Sequence, residues 1–234
     1  DVFINAMGEL NKQEDLNKEV VSFVLVPANN YGPRKDLQEK LAGKSDKKLD
    51  QTFLTHGLHD SEYDPILNEI KSTGLSNKKD DNVKIIFAPC YLNGTDGIFN
   101  LKYYDVLIGL DLTIFPSYYE PWGYTPLESL AFHIPTITTN LAGIGMWVNR
   151  ELVSVNDGIE VFERKVGKDP NVIRDIVNKI VSFSHKSDFD KKQARENAFS
   201  ISRIALWKNL IRYYKDAYTI AIDKFQNRSD SFVD

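Results

Sequence analysis

Residues 115–140 read FPSYYEPWGYTPLESLAFHIPTITTN. The apolar run LTIFPS (112–117) stops at a proline, and an aromatic-rich loop follows. TPLESLAFHI then has the apolar spacing of a helix, and PTITTN has the β-branched density of a strand. Strand, loop, helix and strand in so short a stretch form a β–α–β unit, the element of a parallel sheet.

The same alternation extends in both directions. VVSFVLVPA (20–28) and NVKIIFAP (82–89) are short apolar, β-branched runs that read as strands buried on both faces. QTFLTHGL (51–58) reads as extended and IEVFER (159–164) as a last strand. DVFINAMGEL places Val2, Phe3, Ala6, Met7 and Leu10 on one helical face. YGPRKDLQEKLAG predicts a helix with Pro33 near its start and Gly43 past its end. DPILNEIKSTGL predicts a better-marked one, with Asp64 as N-cap, Pro65 in the first turn and Gly74 after the end. NLKYYDVLIGL predicts a helix, and NLAGIGMWV a glycine turn into a short helix. Beyond residue 170 the pattern is helical, in NVIRDIVNKIVSF, DKKQARENAFSI and ALWKNLIRYYKDAYTIAIDKF, and the tail NRSDSFVD is expected to fray. The expectation is an α/β fold: a Rossmann-like open, mostly parallel sheet covered on both faces, plus long C-terminal helices. No linker or repeat divides it, so residues 1–234 are taken as one domain. The opening helix has neither cap nor strand before it, and the chain is expected to be part of a longer protein.

Composition narrows the function classes. The chain has 234 residues, 42% hydrophobic and 26% charged, enough to bury a core unaided. Cys90 is the only cysteine, so no internal disulfide forms, and a reducing, cytoplasmic setting is expected. A net charge of −4 argues against nucleic acid or an anionic membrane as partner. No apolar run approaches the roughly 20 residues of a membrane span.

The chemistry collects where 115–140 turns from strand to helix, since open parallel sheets bind ligands beyond the carboxyl ends of their strands. Glu128 has two readings: it closes a capping box on Thr125, with Pro126 opening the helix, or it faces a ligand. A helix start also offers free N–H groups and a favourable dipole to an anion. Gly123 would let that anion approach the backbone. Glu120 stands in the loop among Tyr118, Tyr119, Trp122 and Tyr124, a setting suited to sugar hydroxyls or to a merely solvated acid.

PSYYEPWGYTPLE followed by IPTITTNLAGIG strongly resembles the donor-binding signature of glycogen synthases of the animal and fungal type, a type also found in some bacteria. Glu120 and Glu128 match the E-x7-E motif of that superfamily. Weaker similarity runs through THGLHDSEYDPILNEIKSTGL, VKIIFAPCYLNG and RIALWKNLIRYYKDAY. The resemblance implies the C-terminal, nucleotide-sugar-binding half of a GT-B glycosyltransferase, the N-terminal acceptor-side domain lying outside these residues. It implies retaining transfer of glucose from UDP-glucose or ADP-glucose to the 4-hydroxyl of an α-1,4-glucan, with no metal ion or other cofactor. By the same resemblance Glu120 holds donor-glucose hydroxyls and stabilises developing positive charge. Trp122 and Gly123 offer backbone N–H groups to the sugar, Tyr124 and Thr125 lie against the diphosphate, and Glu128 binds the ribose. Tyr103 stacks on the base, and APCYL (88–92) meets the base edge.

Two departures qualify this. The family's phosphate-binding arginine and lysine have no counterpart here, so the isolated chain is expected to be catalytically inactive. The arginine cluster that senses glucose-6-phosphate is reduced to Arg195 and Arg203, which implies a bacterial-type member without that control. Rival readings are a B-type enzyme with another acceptor, of sucrose or trehalose-synthase type, and a non-catalytic nucleotide-sugar- or glucan-binding module. A phosphorylase is disfavoured because no lysine stands in a recognisable pyridoxal-phosphate context. His56 and His59 make H-x2-H, an incomplete metal shell. His133 reads as a helix C-terminal group, Cys90 as a thiol without a base, and Gly143 and Gly145 as a tight turn in preference to a phosphate loop.

Overall fold

The computed structural model describes residues 1–152, 157–165, 167 and 169–230. In chain order the elements are α1 (Val2–Leu10), β1 (Val20–Leu25), β2 (Asn30–Pro33), α2 (Lys35–Leu41), β3 (His56–Leu58), α3 (Pro65–Ser72), β4 (Val83–Ala88) and α4 (Tyr103–Leu107). Then come β5 (Thr113–Ile114), α5 (Tyr124–Ala131), β6 (Thr136–Thr139), α6 (Gly143–Glu151), β7 (Ile159–Phe162), α7 (Asp169–Ser184), α8 (Asp188–Ile204) and α9 (Trp207–Asp230).

The α/β alternation is as expected, and its strands are mostly parallel. β1 pairs in parallel with β4, and β5, β6 and β7 form a second parallel block in that order. β2 and β3 make a small antiparallel ribbon, joined to β4 by a bridge between Leu54 and Phe87. Among the described residues no hydrogen bond joins β1 to β5. The two strands line opposite sides of a groove of about 750 Å³.

Local chemistry accounts for the element ends. The Asp64 carboxylate accepts the Leu67 N–H at 2.8 Å, with Pro65 in the first turn, and Gly74 takes φ +79° just past the end. Pro33 belongs to β2, not to the following helix. α2 starts only after Arg34, whose guanidinium holds the Gln51 and Leu54 carbonyls. α4 and β5 are shorter than their apolar runs. Residues 227–230 of the tail expected to fray continue α9, and 231–234 lie outside the described residues.

One core lies between α1, α3, α7 and the β1–β4 pair, with Met7, Leu10, Ile70, Ile85, Phe87 and Ile176 fully buried. Val2, Ala6, Met7 and Leu10 of the predicted helical face are all in it. A second core joins α5, α6, β7 and α8 through Leu130, Ile144, Val148, Ile159 and Ala198. β1 departs from its reading as a fully buried strand: Val21 is 49% exposed, and Val26 just beyond the strand is 45% exposed. No described helix is long and apolar enough to cross a membrane.

Candidate functional site

The Glu120 loop is set by backbone bonds to the next strand–helix junction. Glu120 N–H donates to the Leu141 carbonyl at 3.3 Å, and Gly143 N–H donates to the Glu120 carbonyl at 2.9 Å. Ile144 N–H donates to the Trp122 carbonyl at 2.6 Å. The Thr139 hydroxyl pins the near end of the loop by donating to the Ser117 carbonyl at 2.7 Å. A Cβ on Gly143 would stand 2.1 Å from the Pro121 oxygen, and one on Gly145 would stand 2.1 Å from the Thr139 oxygen. The glycines of NLAGIG therefore serve close backbone packing, as the tight-turn reading holds. The first N–H groups of α6 are satisfied by the loop. The Glu120 side chain is left exposed.

α5 begins differently from expectation. Its N-cap is Gly123 at φ +107°, not Thr125, and no side chain caps it. Tyr124 and Thr125 occupy the first turn, where their N–H groups have no intrahelical acceptor. The capping-box reading of Glu128 is thereby overturned. Its carboxylate instead accepts a hydrogen bond from the Tyr104 hydroxyl at 2.8 Å. That bond, and then the carboxylate's charge, raise the Tyr104 phenol above the ordinary tyrosine range. Tyr103 is raised by burial and then by the charge of Glu128, so both tyrosines stand within electrostatic reach of one carboxylate.

Tyr103 is also tied to the loop after β4. Its N–H donates to the Leu92 carbonyl at 3.0 Å, and Asn93 bridges Lys102. Pro89 at the head of that loop accepts from Asn30 Nδ2 at 2.7 Å. Segment 88–92, Tyr103 and Glu128 thus form one connected border. Gly123 links it to Glu120, whose Cγ lies 3.6 Å from the point a Gly123 Cβ would occupy. Tyr103 and Thr125 both line the groove between β1 and β5 at its Pro116 end. This is the strand-end position where ligands bind in such sheets.

Two residues of this region were not singled out in the sequence. Tyr104 follows Tyr103 by one position, and periodicity does not say which of two neighbours faces the glutamate. Arg164, 8% exposed, ends the IEVFER run. Its guanidinium donates to the Pro116 carbonyl at 2.6 Å, pairs with Asp169 at 2.8 Å and lies 5.0 Å from the Tyr118 ring centre. Its backbone N–H donates to Asn140 Oδ1 at 2.7 Å. Arg164 therefore ties the ends of β5, β6 and β7 to the loop that carries Glu120. Its position at a strand end was the available signal.

The weaker candidates resolve plainly. H-x2-H is not a joint site: His56 is buried at 2% exposure while His59 faces the Tyr31 ring from outside. His56, Cys90 and Asp96 do approach within 4.8 Å. However, His56 Nε2–H donates to the Asp96 carbonyl and Nδ1 meets the Thr55 hydroxyl, both at 2.9 Å. The Asp96 carboxylate accepts three backbone N–H groups, from Ile98, Phe99 and Asn100. Burial, and then Asp96, push the Cys90 thiol up to about 11. These donors are committed to holding a loop. His133 sits past the end of α5 at φ +61° and stacks on Phe199 at 4.2 Å, consistent with a C-terminal role.

The chain is similar to known proteins over most of its length. The family model for glycogen synthase matches residues 36–233. Glycogen [starch] synthase of Caenorhabditis elegans is 31% identical over 171 residues, which is 73% of this chain and 25% of that protein. The liver glycogen [starch] synthase of Mus musculus is 33% identical over 171 residues, 73% of this chain and 24% of that protein. The chain spans about a quarter of the length of these curated relatives. A solved structure of Anabaena Alr3699/HepE in complex with UDP-glucose covers 94% of this chain and 55% of its own, at 17% identity and a TM-score of 0.42, too loose a likeness to build on. A match over residues 36–233, with relatives above 30% identity, decides the matter: the chain belongs to the glycogen synthase family.

Proposed function

We propose that residues 1–234 form the donor-binding domain of a glycogen (starch) synthase, a retaining hexosyltransferase. It would move glucose from UDP-glucose or ADP-glucose to the 4-hydroxyl of an α-1,4-glucan. One observation carries this reading: Tyr103 and Thr125, the latter in the uncapped first turn of α5, line one groove, while Glu128 accepts from Tyr104 beside it and the Glu120 side chain lies next to the Gly123 cap. The diphosphate lies at the first turn, against Tyr124 and Thr125, where N–H groups and the helix dipole favour negative charge. The base stacks on Tyr103 against segment 88–92, and the ribose reaches Glu128. The glucose comes under Trp122, Gly123 and the exposed Glu120. When the bond from the anomeric carbon to the diphosphate breaks, the Glu120 carboxylate faces the positive charge that develops on the sugar.

In this reading the acceptor-side domain and further phosphate-binding cations lie outside residues 1–234, and the chain alone binds donor without turning it over. A cytoplasmic, bacterial-type member without glucose-6-phosphate control fits the engagement of Arg195. Its guanidinium holds the Leu110 carbonyl at 2.8 Å and Asp111 at 3.3 Å. Activation of a longer form by glucose-6-phosphate would contradict that part.

Calorimetric titration tests the reading, using UDP, ADP and their glucose conjugates on the chain and on Glu128→Ala and Tyr103→Ala. Heat selective for one base and lost in both variants is expected. A longer form that includes the acceptor side should then release glucose onto glucan. Absence of heat with every nucleotide, in this chain and in the longer form, sinks the proposal. Turnover onto fructose or a glucose phosphate in place of glucan would reassign the acceptor.

A further inference from the structure

We infer that Tyr104 sets how strongly the site prefers ribose to deoxyribose: it holds one oxygen of the Glu128 carboxylate until a vicinal pair of hydroxyls takes both. This rests on the donor site proposed above and adds a competitor for one of its groups.

A carboxylate only accepts hydrogen bonds, and its two oxygens suit two neighbouring hydroxyls. Glu128 is half-buried on α5. Among the described residues no cation pairs with it, and its one hydrogen-bond donor is the Tyr104 hydroxyl, 2.8 Å from Oε1. Oε2 has no protein partner. A half-buried carboxylate held by a single neutral donor still has accepting capacity to spare.

The placement of Tyr104 is built by its neighbours. Glu128 and Phe132 stand four residues apart, on one side of α5 and its cap. The Phe132 ring stacks on the Tyr104 ring at 4.9 Å with the planes 14° apart, and the Tyr103 ring meets it at 5.3 Å. These contacts fix the ring and thereby aim the hydroxyl at Glu128. The hydrogen bond, and then the charge of Glu128, raise the phenol, so at neutral pH the hydroxyl keeps its proton and donates. Tyr104 is 44% exposed, so a displaced hydroxyl turns to water while the ring stays on Phe132.

The consequence depends on how many hydroxyls the ligand brings. A single hydroxyl uses Oε2 and leaves Tyr104 in place. The 2′- and 3′-hydroxyls of a ribose take both oxygens, and the phenol must let go. Tyr104 therefore weakens ribose binding and leaves deoxyribose binding alone. Phenylalanine at this position keeps the ring contacts and removes the competitor.

The test is calorimetric titration with UDP, ADP and their 2′-deoxy counterparts, on the chain and on a longer form that includes the acceptor side. For the base that binds, Tyr104→Phe should bind the ribonucleotide about threefold to tenfold tighter than the parent. It should bind the deoxynucleotide as the parent does. NMR of chains carrying ring-labelled tyrosine gives a direct reading, with the Tyr104 signal assigned by its loss in Tyr104→Phe. That signal should move when the ribonucleotide is added and stay when the deoxynucleotide is added.

Tighter binding of both nucleotides to Tyr104→Phe means that the phenol obstructs the site in general, which overturns the selectivity. Weaker binding makes Tyr104 a contact of the donor and overturns the competition. Unchanged affinity for both means that phenol and ribose share the carboxylate, which overturns it as well. In these three outcomes a nucleotide still binds, so the donor site stands. No heat with any of the four nucleotides, in either form of the protein, removes the donor site and this role of Tyr104 with it.

Discussion

At the start of α6 the N–H groups of Gly143 and Ile144 are bound by the Glu120 and Trp122 carbonyls. At the start of α5 the cap is a bare glycine at φ +107°, and the N–H groups of Tyr124 and Thr125 have no intrahelical acceptor. Both helices follow a parallel strand, and a glycine stands at each start, Gly123 as the cap of α5 and Gly143 as the first residue of α6. One start is closed by the protein itself and the other carries no side-chain cap. The closed junction is what makes the open one usable, because the loop sealing α6 is the loop that presents Glu120. The donor site proposed above therefore uses the α5 start, which the preceding loop does not satisfy, and not the α6 start, which it does.

The comparison breaks first at Gly143. In Gly143→Ala the new methyl meets the Pro121 carbonyl at 2.1 Å, and neither backbone can yield without parting loop from helix. Urea unfolding should show a loss of about 3 kcal/mol. A loss under about 0.5 kcal/mol would mean that the loop is not held as described.

Glu120→Gln tests the product of that packing, not the packing itself. The side chain is exposed and its backbone makes the holding contacts, so stability should be unchanged. Turnover by a longer form that includes the acceptor side should fall about 100-fold, or about 2.7 kcal/mol of barrier. Turnover within about twofold of the parent would remove Glu120 from the reacting centre.

Arg164 is the tie common to the junctions. Arg164→Met keeps the stem but abandons the Pro116 carbonyl and Asp169. It should cost about 2 kcal/mol by thermal or urea unfolding. Methionine at no cost would mean that the β5 end needs no cation.

The contrast between the junctions also marks the limit of what the sequence states. The strands 20–25, 83–88 and 136–139, the Asp64 cap and the buried face of α1 follow from local alternation, β-branching and turn chemistry, and they were legible. Glu120 and Glu128 could be located but not assigned. TPLE has the form of a capping box, and only the left-handed Gly123 moves the helix start back and releases Glu128. Tyr104 and Arg164 act through residues 24 and 48 positions away, pairings that periodicity does not encode. The open edge of β1 was misread for a related reason: composition records what a strand is suited to, not whether a neighbour is present.

The smallest expected effect is the most specific to the open junction. Tyr104 is held protonated by its hydrogen bond to Glu128 and then by that carboxylate's charge. For an acid whose folded value is raised, the associated stability is complete below the unfolded tyrosine pKa. It is lost as pH rises through the folded value. The difference between alkaline absorbance titrations of the parent and Tyr104→Phe isolates this one phenol among eleven tyrosines. It should ionise later than an ordinary tyrosine, and Glu128→Gln should bring it back toward the ordinary range. Donor binding should do the same if the ribose takes Glu128 from Tyr104, since the phenol then loses its strongest acceptor. An unshifted titration in the parent would mean that the carboxylate does not face Tyr104. A shift that Glu128→Gln leaves intact would assign it to the Tyr104 surroundings, where Phe132 stacks at 4.9 Å. A shift that donor leaves intact would place the ribose elsewhere than on Glu128.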